Sequence, residues 1–364
     1  MNFDYNEEQQ LLADSVRRFV QKDYDFERRR KIVASEHGFS PEVWSVFADM
    51  GLLGLPFSTE HGGFGGGAVD LLSVMEAFGE ALVVEPYLAT VGLGARFVAK
   101  AGSAQQKKAI LPAVAEGKLK MAFAHAEAGA RYDLAQVRAQ AKKAADGWRI
   151  EGEKRAVIGA PMADKLVVSA RSGAGIALFL VDREAAGVSL RPYRTLDEMR
   201  AADVVLAGVR AEALEGGLEL IEEATDFATA LVCAEAVGAI QYANDATLEY
   251  LKTRKQFGVP IGAFQALQHR MVDMVISGEQ ARSMACLACS KADAASASER
   301  KRAISAAKIK IADACRHVSQ ESVQLHGGMG MTEELKVSHT FRRLTMIAQQ
   351  FGDADHHLER FASL

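Results

Sequence analysis

The segment Tyr250-Leu251-Lys252-Thr253-Arg254-Lys255-Gln256-Phe257-Gly258-Val259-Pro260 ends a helical pattern with a cation, an amide and an aromatic ring, and a Gly/Pro turn follows. A second helical pattern opens at Gln265. An arginine in that position can fork to a phosphate through two parallel N–H bonds, and Phe257 can cover the face of an adenine or ribose. The competing reading is a solvated basic helix end. Further along, Gln324-Leu325-His326-Gly327-Gly328 sets an amide beside paired glycines. Glycines bare the backbone N–H groups and let a phosphate or an adenine edge come close.

Three other constellations carry less. Gly62-Gly63-Phe64-Gly65-Gly66-Gly67 looks like a phosphate-binding fingerprint, but Gly51-Leu52-Leu53-Gly54-Leu55-Pro56 before it is a poor strand. A surface loop between helices is expected there. Cys286 and Cys289 form a C-x-x-C inside an Ala-rich helical stretch with no second pair of ligands, which reads as small apolar residues on a helix face. His356-His357 point about 100° apart on a helix and have no third ligand in view, so no metal is expected.

These segments need elements to hold them. Leu11, Leu12, Val16, Phe19 and Val20 recur at helical spacing behind Asn6 and Gln9, a capping box. Leu71, Leu72, Met75 and Phe78 repeat the habit, with Gly79 as the expected stop. Over residues 121–211 the period shifts to short strands: Trp148-Arg149-Ile150 after Asp146-Gly147, Leu166-Val167-Val168, and the run from Ile176 to Val181. From Leu214 onward the chain is helical again, broken at Gly258-Val259-Pro260, at 294–298 and at Gly327-Gly328. The expected fold is mainly α with a central β domain. Its parts are an N-terminal helical domain (1–118), a middle β-barrel (119–213) and a C-terminal four-helix bundle (214–364).

Composition narrows the function. With 364 residues, 49% hydrophobic and 25% charged, the chain can bury two or three cores. Forty-three Lys and Arg stand against 47 Asp and Glu with no basic block, so nucleic acid is not expected as a partner. No apolar run approaches the roughly 18 residues of a membrane span, and the acidic, polar start has no leader-like character. Four cysteines in a chain of this length argue for a reducing compartment. A cytoplasmic protein without a membrane partner is expected.

Taken together, R-x-x-F-G at Arg254, Q-x-x-G-G at Gln324 and the α–β–α order resemble the acyl-CoA dehydrogenase family over essentially the whole chain. In that family these motifs hold the ADP half of an FAD that belongs mainly to a neighbouring subunit. The resemblance implies FAD as cofactor and an acyl-CoA as substrate, with α,β-dehydrogenation as the reaction. It also implies an electron-accepting flavoprotein, and it makes Arg254, Gln256, Phe257, Gln265, Gln324, Gly327 and Gly328 the FAD contacts. A carboxylate base removes the α proton in such a reaction while the flavin takes the hydride.

The chain departs from the family where chemistry would occur. The family's Tyr-Glu-Gly follows an arginine-containing helix start, matched here by Phe341-Arg342-Arg343, but this chain reads Gln350-Phe351-Gly352-Asp353. Phe351 therefore stands in the glutamate's place. The alternative base position, 26 residues before Arg254, is Ala228. Thr229 replaces the neighbouring arginine, and Asp226 is kept. Thr-Glu-Pro and Gly-Ser-Asp become Ala126-Glu127-Ala128 and Arg131-Tyr132-Asp133, and Lys-x-Trp-Ile-Thr becomes Lys154-Arg155-Ala156-Val157-Ile158. Two donors and a stacking plane are lost from the flavin cleft.

This asymmetry resembles the small subunit of pimeloyl-CoA dehydrogenases and chains of heterotetrameric dehydrogenases acting on steroid side chains. It implies a non-catalytic partner chain, working with a homologous subunit in β-oxidation-type degradation of lipids or steroids. A second reading is a self-sufficient homo-oligomeric dehydrogenase, oxidase or monooxygenase with Asp353 as base. A two-residue offset turns that side chain about 200° around a helix. A third reading is a non-enzymatic scaffold, which would have no use for the paired glycines.

Overall fold

A computed structural model describes residues 6–145, 147–173 and 175–364. Residues 1–5 of the expected helical domain, and Asp146 of the Asp146-Gly147 turn, lie outside the described residues. In chain order the helices are α1 (Glu7–Asp23), α2 (Phe26–Ala34), α3 (Pro41–Asp49), α4 (Ala68–Ala81), α5 (Ala95–Ala101), α6 (Ala104–Ala115), α7 (Leu218–Thr253), α8 (Gln265–Lys291), α9 (Ala297–His326), α10 (Lys336–Gln349) and α11 (Ala354–Ala362). Between α6 and α7 run β1 (Met121–Ala124), β2 (Gln140–Ala144), β3 (Gly147–Ile158), β4 (Lys165–Ser172), β5 (Gly175–Asp182), β6 (Val188–Arg194) and β7 (Arg200–Leu214). The short strands β8 (Lys255–Gln256) and β9 (Val259–Pro260) lie between α7 and α8. The chain thus has an N-terminal helical domain, a middle β-barrel domain and a C-terminal helical domain.

Packing gathers these elements into two compact units. One comprises Met1–Arg30, Ala68–Val83 and Thr229–Leu364, the other Lys31–Gly67 and Val84–Ala228. In the first, Asn6 accepts from the Gln9 N–H and Gln9 returns the bond to the Asn6 N–H, which closes the expected capping box at the start of α1. Leu71, Leu72, Met75 and Phe78 are all buried on α4. Gly79 does not stop that helix, which continues to Ala81. Its missing side chain is used for packing, because a methyl there would collide with the Glu235 carbonyl oxygen on α7.

The long helices α8, α9 and α10 complete this unit, with Ile304, Ile311, Cys315 and Val318 of α9 in its core. Arg343 sits in the middle of α10 rather than at a helix start, and forks to Glu235 through Nε–Oε1 at 2.6 Å and Nη2–Oε2 at 2.7 Å. Both side chains are buried, so the pair is charge-assisted and shielded from salt. Cys286 and Cys289 are free thiols on α8, and Cys289 is buried.

In the second unit, strands follow the order β1-β4-β2-β3-β7-β5, and a further β4–β5 pairing closes the sheet on itself. Closure of the β4-β2-β3-β7-β5 ring leaves β1 and β6 as the strands paired on one side only. Parallel pairing is confined to β1–β4 and the single β2–β4 contact, so no crossover helices are needed. Ile150, Leu166, Val168, Phe179, Val204, Leu206 and Val209 fill the interior. The Gly62–Gly67 run is loop, as expected.

Candidate functional site

The R-x-x-F-G segment begins where α7 ends. Lys255 pairs with Pro260 and Gln256 with Val259, so β8 and β9 form a two-residue hairpin. Its turn is Phe257-Gly258, with φ of 54° and 84°. Two successive positive φ values make a turn whose twist matches a hairpin, and glycine at the second position relieves half of the strain. The consequence is exposure: Phe257 is 91% accessible, touching Phe264 edge-on at a centroid distance of 6.1 Å. Among the described residues the Arg254 guanidinium has no acid within 4 Å and makes no hydrogen bond, while its backbone is fixed by bonds to Tyr250 and Ile261. Gln256 and Gln265 are exposed as well, Gln265 as the first residue of α8.

The Q-x-x-G-G segment closes α9. Gly327 has φ 60° and its N–H caps the Gln324 carbonyl, so glycine is required there by the backbone. Gly328 has an ordinary φ, and a methyl on it would meet nothing within 4 Å. Nothing inside the chain therefore accounts for the second glycine. The two segments are tied by a contact that sequence reasoning missed: His326 stacks on Tyr250 at 4.5 Å with an interplanar angle of 29°. Tyr250 is four residues before Arg254 and His326 is one before Gly327. The signal in the sequence is a pair of rings adjoining both motifs.

The expected base positions read differently in space. Ala228 and Thr229 are buried on α7, and so is Asp226. Phe351 lies in the turn between α10 and α11 with φ 61°, followed by Gly352 at φ 124°. The buried Lys308 ammonium donates to three carbonyls around this turn, Ile347 at 2.9 Å, Ala348 at 3.2 Å and Gly352 at 2.8 Å. Burial pushes that ammonium below the usual lysine range. His357 Nε2 lies 3.2 Å from the Phe351 carbonyl oxygen, which can only accept, and burial followed by the Lys308 charge lowers its pKa to about 3. Asp353 is the N-cap of α11, its Oδ1 accepting from the His356 N–H at 2.9 Å. One of its two carboxylate oxygens thus serves as a helix cap.

In the β-barrel, the Ala126–Ala128 and Lys154–Ile158 segments meet at a buried ion pair. Lys154, fully buried, donates to Glu127 Oε1 at 2.7 Å, Ser169 Oγ at 3.0 Å and the His125 carbonyl at 3.1 Å. Glu127 also accepts the Arg138 and Ala139 N–H groups. Burial lowers the Lys154 pKa to about 8 against the opposing pull of Glu127. Burial pushes Glu127 up, but the Lys154 bond and charge and the two N–H groups outweigh it and hold the carboxyl below its usual range. His125, stacked on Phe123 and bonded to Ser169, is lowered to about 4 by burial and then by the Lys154 charge.

Above this pair the surface is altered. Ala156 stands in a bulge of β3 at φ 50°, its N–H held by Asp203, which also takes Arg155 at 2.6 Å and Tyr193 at 3.2 Å. This part of β3 thus presents a methyl and an ion-paired arginine. What this chain offers a ligand is therefore uneven. The Arg254 and Gln324 segments present unengaged donors, whereas the barrel motif presents small side chains and groups that are already paired.

Comparison with known proteins gives three matching family models: acyl-CoA dehydrogenase N-terminal domain over residues 6–118, middle domain over 122–209 and C-terminal domain over 215–362. The acyl-CoA dehydrogenase FadE12 of Mycobacterium tuberculosis is 32% identical over 370 residues, covering 95% of this chain and 93% of that protein. A variant of the Tcur3481-Tcur3483 steroid ACAD superposes with a TM-score of 0.91 at 30% identity, covering 98% of this chain and 97% of that one. The ChsE4-ChsE5 complex from Mycobacterium tuberculosis gives 0.91 at 26% identity, covering 100% and 98%.

Proposed function

The chain belongs to the acyl-CoA dehydrogenase family, and from that membership we propose that it is the non-catalytic partner subunit of a heteromeric, FAD-dependent acyl-CoA dehydrogenase. The observation that carries this reading is the contrast between Arg254 and Asp353. The first holds a charged fork ready for an outside phosphate, while the second, the carboxylate two residues beyond the expected base position, caps a helix through Oδ1. In this reading residues 1–118, 119–213 and 214–364 act as three domains.

The residues present fit one half of FAD. Arg254 would bind the pyrophosphate, Phe257 would cover an adenine or ribose face, and Gln256, Gln265 and Gln324 would add amide bonds. Gly327 and Gly328 leave room for close approach. When bound, FAD supplies the hydride acceptor. This chain's own residues bind and orient it from across a subunit boundary, and a homologous subunit carries the flavin-facing donors and the carboxylate. The substrate is an acyl-CoA; the Tcur3481-Tcur3483 steroid ACAD likeness favours a steroid or other bulky lipid chain, and the ChsE4-ChsE5 complex favours an assembly of two different chains. An electron-transferring flavoprotein would reoxidise the flavin.

Flavin content tests the reading. The chain purified alone is expected to hold little FAD and to give no acyl-CoA-dependent dye reduction, and co-expression with a glutamate-bearing homologue is expected to restore both. Robust turnover by the chain alone would overturn it.

A further inference from the structure

Lys154 and Lys308 are fully buried, and each spends its ammonium on three hydrogen bonds. Lys336 is their opposite. It is half-buried at the start of α10, and its Nζ lies 3.9 Å from the centroid of the Tyr242 ring on α7. Among the described residues its amine makes no hydrogen bond and has no acid within 4 Å. Tyr242 from α7, Glu80 from α4 and Arg29 from α2 face it, and all four residues belong to the first compact unit.

These surroundings weigh against the charge. Removal from water disfavours the ammonium most, and the Arg29 charge acts in the same direction, against the pull of Glu80. The Tyr242 face favours the cation, by the modest amount of a partly exposed cation–π contact. Position in the helix opposes it. Lys336 is the first residue of a 14-residue helix whose N-cap, Leu335, makes no side-chain bond and whose first turn holds no acid, so the ammonium stands at the positive end of the helix dipole. The balance lowers the Lys336 pKa to about 8. A lysine amine without a hydrogen-bond partner, shielded by a ring and still open to solvent on one side, is the form in which lysine acts as a nucleophile.

We propose that Lys336, lying unpaired on the Tyr242 ring at the N-terminus of α10, is a site of covalent acylation by acyl thioesters. The neutral amine attacks the thioester carbonyl carbon. An N–C bond forms, the C–S bond breaks, and the proton shed by the nitrogen leaves with the sulfur as a free thiol. No electron changes hands. The amide that results is uncharged, so acylation removes the cation from the positive end of α10. An acyl-CoA, the substrate class proposed above, is such a thioester. The step needs neither FAD nor a partner subunit, and it stands apart from the partner-subunit reading.

The test is incubation of the purified full chain with acetyl-CoA across a range from about pH 6.5 to about pH 10, with acetylation read residue by residue by peptide mass spectrometry. Lys142 and Lys143, both exposed on β2, serve as references. Near neutral pH Lys336 is expected to react roughly tenfold faster than either, the larger gain in neutral amine being discounted because a less basic amine is a weaker nucleophile. Its rate should level off above about pH 8, while theirs keeps rising. Glu80→Gln removes the charge that opposes deprotonation, so it should move the levelling-off to lower pH and raise the rate near neutrality. Acetylation of Lys336 no faster than that of Lys142 and Lys143, a rate that rises in step with theirs, or a Glu80→Gln profile identical to the parent's would overturn the proposal.

Discussion

Gly79 on α4 and Gly238 on α7 bury against each other's helix: a methyl on Gly79 would collide with the Glu235 carbonyl oxygen, and one on Gly238 with that of Glu76. The contact is reciprocal, and backbone stands on the receiving side both times. Neither helix can yield by turning a side chain, so the crossing needs a hydrogen atom at both positions. Gly79→Ala is therefore expected to destabilise the protein by about 1–3 kcal/mol or more, at the upper end of overpacking changes. Urea denaturation of Gly79→Ala and Gly238→Ala measures it, and a midpoint equal to the parent's in either variant would refute the crossing.

The Glu235–Arg343 fork lies in the same unit, one residue sharing its helix with Gly238. Removing one partner leaves a buried charge uncompensated, for which about 3–5 kcal/mol is typical. Arg343→Met should approach that loss, and Glu235→Met combined with Arg343→Met should recover most of it. Equal instability of the single and double variants would show that the cost is one of packing and not of charge.

Arg254→Ala should leave the chain's own stability within about 0.5 kcal/mol, because an exposed, unengaged side chain is being removed. In the assembled complex the same change should release FAD. Charge-assisted bonds to a phosphate contribute about 1.5–3 kcal/mol each before discounting for exposure, so retention should fall at least tenfold. Flavin absorbance after gel filtration reads the occupancy, and an unchanged flavin-to-protein ratio would return Arg254 to a solvated helix end.

Asp353 separates a cap from a base. Asparagine is as good an N-cap as aspartate, so Asp353→Asn should keep both the stability and the turnover of the complex, whereas Asp353→Ala should cost about 1 kcal/mol of stability. A base would behave otherwise, with both variants losing activity together. Acyl-CoA-dependent dye reduction and thermal melts on the two variants distinguish the cases.

Acid should weaken the barrel. Burial, then the Lys154 charge, lowers the His125 pKa from 6.5 to about 4, with Glu127 and Asp133 pulling the other way. Above pH 6.5 the ring is neutral in both folded and unfolded chains and the effect is absent. Between 6.5 and 4 the unfolded chain takes up a proton that the folded chain refuses, so stability falls as pH falls, by roughly 3 kcal/mol for this group. Denaturation midpoints at pH 7 and pH 5 should differ less in His125→Gln than in the parent, and identical pH dependence would remove His125 from the account.

Local chemistry determined a good deal by itself. The Asn6–Gln9 capping box, the helical stripe through Leu71, Leu72, Met75 and Phe78, the short strands at Trp148, Leu166 and Ile176, and the break at Gly258-Val259-Pro260 follow from residue types at short spacing. Such features are set within a few residues and are legible in one sequence. That Phe351 and Ala228 carry no ionisable group is likewise a matter of residue identity. Tertiary structure decided the rest, because it depends on partners distant along the chain. Gly79 looks like a helix stop until α7 is placed against it. Asp353 is only a carboxylate near a helix start in the sequence, and the fold shows its Oδ1 accepting the His356 N–H. Lys308, silent in sequence, meets three carbonyls some forty residues away, and the Tyr250–His326 stack joins two motifs that spacing alone left apart. The order of residues fixes which groups are available. Only packing determines which are already engaged, since each buried polar group must find a partner and the ones left exposed and unengaged remain for something outside the chain.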